Sequence, residues 1–231
     1  MPTEWSPTDR EDLQRNYAEM LDPAYRQRWS LENPGNALAF EERKRLLDNL
    51  VEGRVPGPSV VLDLGCGSLS ALPKDLARST LIGVDLLFGR LHELEPGHAA
   101  ALVNADGCML PLRSGSVDVV VMSVMLSSVL DGGARRQICA EVDRVLSPGG
   151  LVVWYDFRYP SPGNRATKRV GRRQLTELFP GYSVTIRSVT VLPPVARALG
   201  DHAEVWYPRL RAVPALRSHL AGTLTKPGAL Q

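Results

Sequence analysis

Residues 60–67 read Val60-Val61-Leu62-Asp63-Leu64-Gly65-Cys66-Gly67, and this stretch decides the fold. An apolar run of this kind is a buried strand, and it leads straight into a glycine turn. Glycines at 65 and 67 let the backbone bend sharply and let a ligand come close. The turn then lies at the carboxyl end of a strand, where open α/β sheets bind their cofactors. The glycine spacing alone is weak, because dinucleotide enzymes use the same turn with a third small residue, and Ser70 fills that place. Asp63 separates the two readings. A carboxylate two residues before the first glycine repels a pyrophosphate but suits an ammonium group or the loop amides.

Outward from this stretch the pattern repeats. Short apolar runs over 60–62, 81–84, 101–103, 117–122 and 151–154 are candidate strands, and helical stretches, notably 134–146, separate most of them. Such alternation predicts a doubly wound α/β sheet. Asp85 stands twenty positions beyond Gly65 at the end of the second run, followed by Leu86. A carboxylate there can accept hydrogen bonds from both hydroxyls of a ribose. Asp106, with Gly107 behind it, stands after the third run, where it can receive an adenine amino group. The three acids form a polar row beside one crevice.

Together these motifs resemble the class I S-adenosylmethionine-dependent methyltransferases. The shared pieces are the Asp-x-Gly-x-Gly turn at 63–67, the acid at 85, Asp106-Gly107, Val117-Asp118-Val119-Val120 and Ser147-Pro148-Gly149-Gly150, over roughly residues 46–156. The resemblance implies a Rossmann-like, mostly parallel seven-stranded sheet and S-adenosylmethionine as cofactor. It places Asp63, Gly65, Cys66 and Gly67 around the methionine end, Asp85 at the ribose, Asp106 and Gly107 at the adenine, and Leu86 and Ser123 against the cofactor. Two departures stand out: Leu69 replaces a frequent third glycine, and Ser127-Ser128 occupy a place where many relatives have histidine or glutamate.

Acceptor-side candidates follow the fourth and fifth runs. Ser127, Ser128, Tyr155 and Arg158 are candidate acceptor contacts, and Asp156 is a candidate proton acceptor. Any of His92, His98, His202 and His219 can serve as a base near neutral pH, with His202 the best placed of them. Arg165 and Arg169 belong to a stretch without acids between Phe157 and Thr176, suited to gripping a carboxylate or phosphate. Trp29, with Tyr25, is expected to close over the site from the N-terminal segment, while Asp118 opens the fourth strand at the far end of the sheet and reads as structural.

Composition bounds the rest. At 231 residues the chain is expected to form one domain: a helical cap over 1–52, a cofactor-binding core over 53–160 and an acceptor side over 161–231. With 44% hydrophobic and 23% charged residues, most of it should fold. No run approaches the roughly 18–20 apolar residues of a membrane helix, and the acidic N-terminus has no signal-peptide pattern, so a cytoplasmic place is expected. Cys66, Cys108 and Cys139 match no metal or disulfide spacing and read as reduced thiols. A net charge of +2 makes nucleic acid an unlikely partner. The expected activity is O-methylation of a small molecule, a glycan precursor or secondary metabolite, with an acidic acceptor among the options. The alternatives are N-methylation, an RNA methyltransferase, or a cofactor-binding subunit without turnover; Asp63 puts a nicotinamide dehydrogenase last.

Overall fold

The computed structural model describes residues 23–55, 58–67, 72–73, 76, 79–87, 100–159 and 167–228. Leu69, Ser70, His92, His98, Arg165 and residues 1–22 of the expected helical cap lie outside them. Helix α1 (Pro23–Arg28) precedes α2 (Pro34–Val51). Asn33 caps α2 by accepting from the Asn36 amide at 3.2 Å, Pro34 takes the first turn, and Gly53 follows the last turn at φ +67°.

Seven strands follow: β1 (Val60–Leu64), β2 (Thr80–Asp85), β3 (Ala100–Asn104), β4 (Val117–Ser123), β5 (Leu146–Phe157), β6 (Ser183–Val191) and β7 (Arg217–Thr225). They lie in the order β3-β2-β1-β4-β5-β7-β6. Pairing is parallel from β3 through β5, and β7 runs antiparallel to both its neighbours. The expected sheet is therefore present. Helices α3 (Gly132–Val145), α4 (Arg172–Leu178), α5 (Pro193–Ala198) and α6 (Ala203–Arg211) complete the described α-helices.

Both faces of the central strands are covered, which is why they read as continuous apolar runs. Leu62, Val84, Val120 and Trp154 pack with Ile138 and Val142 of α3. Val61, Val119, Val153 and Tyr155 pack with Leu46, Leu47 and Val51 of α2 on the other face. Gly35 lets α2 touch α5 backbone to backbone, since a Cβ there would fall 1.8 Å from the Ala196 carbonyl oxygen. Asp118 is structural, as expected: its carboxylate accepts from the Val60 amide at 2.9 Å and the Ser147 hydroxyl at 3.3 Å, tying the amino ends of β1 and β5 together. No disulfide joins Cys66, Cys108 or Cys139, and no described helix is long and apolar enough to cross a membrane.

Candidate active site

The carboxyl ends of β1, β2 and β3 frame a cleft with about 490 Å³ of open space, lined in part by Asp85, Leu86, Asp106, Met125, Ser128 and Ile138. The glycine turn closes onto β2, because the Gly65 and Cys66 amides both donate to the Val84 carbonyl, at 2.8 and 3.1 Å. Gly65 has φ +75°, and a Cβ there would sit 2.7 Å from Met125 Cγ. Glycine is required on both counts. Asp85 is 7% exposed and braces the site: Oδ2 accepts from the Gly67 amide at 3.0 Å and Oδ1 from the Leu87 amide at 2.9 Å. Each carboxylate oxygen has two lone pairs, so one acceptor position per oxygen remains for a ligand's hydroxyls. Asn104 adds two bonds of 2.9 Å to the carbonyls of Asp85 and Leu86.

Past β3, Asp106 Oδ1 accepts from the Cys108 amide at 2.9 Å, a turn that sets Gly107 against Ile138. The expected row of three acids divides. Asp85 and Asp106 line the cleft, whereas Asp63 lies behind the glycine turn and is not among the lining residues. Strand alternation is the reason: Leu62 and Leu64 point to the α3 face, so Asp63 points to the α2 face. Burial pushes the Asp63 carboxyl up to about 7, against the pull of the Arg43 guanidinium and with the help of Asp85.

The ends of β4 and β5 form a second cluster. Val124 sits at φ +55°, strained for a β-branched residue, with its amide donating to the Tyr155 carbonyl at 2.7 Å. The chain then turns through Leu126–Ser128, which puts Ser128 on the cleft wall. Asp156, expected to face the acceptor, is wholly buried. It accepts from the Ser127 amide at 3.0 Å and the Phe157 amide at 2.8 Å, and burial pushes it up to about 6 despite those bonds and the Arg135 charge. This geometry is that of a strut between β5 and the turn. Arg135 completes the strut by donating to the carbonyls of Val129 and Lys168, at 2.6 and 2.7 Å.

The other acceptor-side candidates scatter. Tyr155 is buried, with its hydroxyl on Thr190 Oγ1 at 3.0 Å. Arg158 is spent on the Pro214 carbonyl at 2.8 Å and the Tyr159 ring at 4.8 Å. Trp29 is 39% exposed with the Arg197 guanidinium 5.0 Å from its ring, and it is not among the residues that line the cleft. Arg169 and His202 are exposed, and neither lines the cleft. His219 is the histidine drawn into this edge: it stacks on Tyr155 and Phe157 at 4.7 and 4.6 Å, with Nδ1 2.8 Å from Ser218 Oγ.

Sequence reasoning missed Arg43 and Arg135. A signal for both was present, because each sits at i, i+3, i+4 and i+7 spacing with apolar residues that face the core: Leu46, Leu47 and Leu50 for Arg43, and Ile138, Cys139 and Val142 for Arg135.

A family described as a methyltransferase domain matches residues 62–154. Demethylmenaquinone methyltransferase of Streptomyces avermitilis is 30% identical over 173 residues, which are 73% of this chain and 67% of that protein. Two further relatives match over 56% and 57% of their own lengths. Among solved structures, the N-methyltransferase NodS from Bradyrhizobium japonicum WM9, in complex with S-adenosylhomocysteine, superposes with a TM-score of 0.63 at 16% identity, covering 94% of this chain and 98% of that one. The 1,6-didemethyltoxoflavin-N1-methyltransferase of Burkholderia thailandensis gives a TM-score of 0.56 at 18% identity, over 92% and 90% of the two chains.

Proposed function

The chain belongs to the class I S-adenosylmethionine-dependent methyltransferases, and from that premise we propose that it methylates a small molecule at an oxygen atom. One observation supports the placement of the cofactor above all. Asp85 holds the glycine turn and the start of the next loop while keeping two acceptor positions open on the cleft. These suit the ribose hydroxyls, Leu86 and Ile138 offer flat apolar walls to the adenine, Asp106 and Gly107 close its far edge, and the turn at Gly65–Gly67 takes the methionine end. When bound, the cofactor supplies an electrophilic methyl group on a sulfonium centre.

What the chain contributes is position. A nucleophile must be held about 3 Å from that methyl group, in line with the breaking bond. Ser128 and Met125 line the cleft, and the nucleophile is proposed to enter beside them. Asp156 is proposed as the support of that wall of the cleft rather than as a base. We retain a glycan precursor or secondary metabolite as the acceptor class. A second reading, methylation of a ring carbon, is favoured by the demethylmenaquinone methyltransferases among the relatives. Incubating the protein with the cofactor and panels of phenols, sugars, quinols and amines, followed by mass spectrometry, tests both. Gain of one methyl group on a hydroxyl supports the first reading and gain on a ring carbon the second. Methylation of RNA alone would overturn both.

A further inference from the structure

The chain leaves β6 at Val191 and enters β7 at Arg217. Because β5 and β6 are both antiparallel to β7, they run in the same direction, and this connection starts and ends at the carboxyl edge of the sheet, the edge that also holds the cleft. Two bonds tie it there: the Leu192 amide donates to the Leu216 carbonyl at 2.8 Å, and Arg158, the residue after β5, donates to the Pro214 carbonyl at 2.8 Å. Within the connection, α6 turns three residues inward at helical spacing. Ala203 and Tyr207 are buried, and Leu210 packs with Tyr207 in a cluster that holds Leu38 and Ala39 of α2.

What α6 and the turn after it present outward is largely apolar. Val205 is 54% exposed, Trp206 51% and Val213 44%, and Pro208, Pro214 and Ala215 are exposed among and beyond them. Hydrophobic side chains scattered singly on a surface need no explanation, but a run of them along one short helix and its following turn marks an interaction surface. The backbone of that turn is already satisfied: the amides of Ala212, Val213 and Leu216 donate to the carbonyls of Arg209, Leu210 and Val213 at 3.1, 3.0 and 3.1 Å. Such a crest can leave water without orphaning its amides.

Charge selects the partner. No acid follows Glu204 in the chain, and residues 158–231 carry twelve lysines and arginines against three acids, whereas residues 1–157 hold 22 acids against 15 bases. Asp201 and Glu204 stand at the amino end of α6, and its carboxyl end carries Arg209 and Arg211. Arg209 holds its guanidinium 5.5 Å from the centre of the Trp206 ring. Arg211 meets Glu42 at 3.5 Å and keeps half of its side chain exposed, while Arg217 stiffens the turn by donating to the carbonyls of Arg211 and Ala212 at 2.8 and 3.2 Å. A second copy docked here about a two-fold axis would set these arginines against one another, and a nucleic-acid backbone gains nothing from Val205 and Val213. An anionic bilayer surface matches both features, with phosphates for the guanidinium groups and a headgroup boundary in which tryptophan is at home. We propose that the crest of Val205, Trp206, Val213 and Pro214 docks on an anionic lipid surface, its apolar side chains entering the headgroup layer while Arg209 and Arg211 meet lipid phosphates.

Co-sedimentation of the full chain with lipid vesicles tests this, using phosphatidylcholine alone and an equal mixture of phosphatidylcholine and phosphatidylglycerol, with Trp206→Ser and Arg209→Glu beside the wild type. Both side chains are exposed, so urea midpoints equal to the wild type's show that the variants fold; if Trp206→Ser shifts its midpoint, Val213→Ser takes its place. The wild type should bind the mixed vesicles at least about tenfold more tightly than phosphatidylcholine and lose that preference as salt is raised. Trp206→Ser should weaken binding to the mixed vesicles by about tenfold, and Arg209→Glu by a similar factor with its weak binding to phosphatidylcholine unchanged. A wild type that stays in solution with both vesicles, or a Trp206→Ser that sediments as the wild type does, overturns the proposal. So does a wild-type dimer that Trp206→Ser dissociates in size-exclusion chromatography without any vesicle binding, which assigns the crest to a second copy. RNA binding that Arg209→Glu abolishes, again without vesicle binding, overturns it in favour of a nucleic acid. None of these outcomes bears on the placement of the cofactor, which the docking surface does not require.

Discussion

Along the cofactor half of the sheet edge, the bonds that shape the site join neighbouring strands and short turns; Gly67 reaches Asp85 across 18 residues. Along the acceptor half, Glu42 reaches Thr190 and Tyr207 across 148 and 165 residues. The first region is built from strands that follow one another in sequence and pair side by side in parallel. The second exists only once α2 has docked onto β5, β6 and β7. Strain is divided the same way. Gly65 adopts its left-handed turn without cost, whereas Thr190, at φ +59°, is held in place by Glu42 and Tyr155. The hydrogen bonds of the cofactor half are therefore the more local, and the acceptor half is a long-range assembly.

The sharpest way to break this comparison is Gly65→Arg. A side chain there meets Met125 and forces a left-handed conformation on a residue that resists it. We expect S-adenosylhomocysteine affinity to fall by about two orders of magnitude or more, a loss of some 3 kcal/mol in calorimetry. Urea unfolding should show a smaller loss, the roughly 1–2 kcal/mol that a side chain costs in that left-handed conformation. A large loss of stability with affinity intact would show that the turn serves the fold and not the ligand.

Glu42→Ala tests the other half. It leaves the Tyr207 hydroxyl and the Thr190 amide without their acceptor in a buried setting. The expected loss is about 2–3 kcal/mol in urea unfolding, with S-adenosylhomocysteine affinity within about twofold of the wild type. A proportionate fall in affinity would mean that the two halves are one cooperative unit.

The same division explains what the sequence made legible. All five central strands, the caps of α2 and the acids at 85 and 106 follow from local pattern, because a strand end, a glycine turn and a carboxylate are fixed by neighbours in the chain. The exposure of Asp156 and the direction of Asp63 were not legible, since both depend on which face a strand turns to which helix. His202 reads as better placed than His219 because it belongs to the C-terminal insertion Gly200-Asp201-His202. His219 is reached only through the pairing of β7 with β5, which sets it opposite Phe157. Arg43 and Arg135 were the partial exception: their helical spacing with core residues marked them as inward-facing, although it could not say what they meet.

The smallest effect, and the one that tests how dry the acceptor half is, belongs to His219. Burial, reinforced by the Arg43 charge, pushes its imidazole down to about 3 from an ordinary 6.5. The unfolded chain takes up this proton near pH 6.5 and the folded chain does not until far lower, so the stability it contributes is present above 6.5 and lost as pH falls below it. Between pH 6.5 and 5 the loss amounts to about 2 kcal/mol at most, at roughly 1.4 kcal/mol per unit. Asp63 and Asp156 run the other way: their carboxyls, raised to about 7 and 6, favour the folded state as they gain protons. The wild-type profile alone mixes these slopes, so the difference between wild type and His219→Gln is the quantity to measure. Glutamine does not titrate and gives up the stacking on Tyr155 and Phe157. The wild type should therefore be the more stable protein at pH 7.5, and its advantage should shrink or reverse by pH 5. A difference that stays constant across that range would mean that water reaches the imidazole, and that the acceptor half is open where its packing describes it as closed.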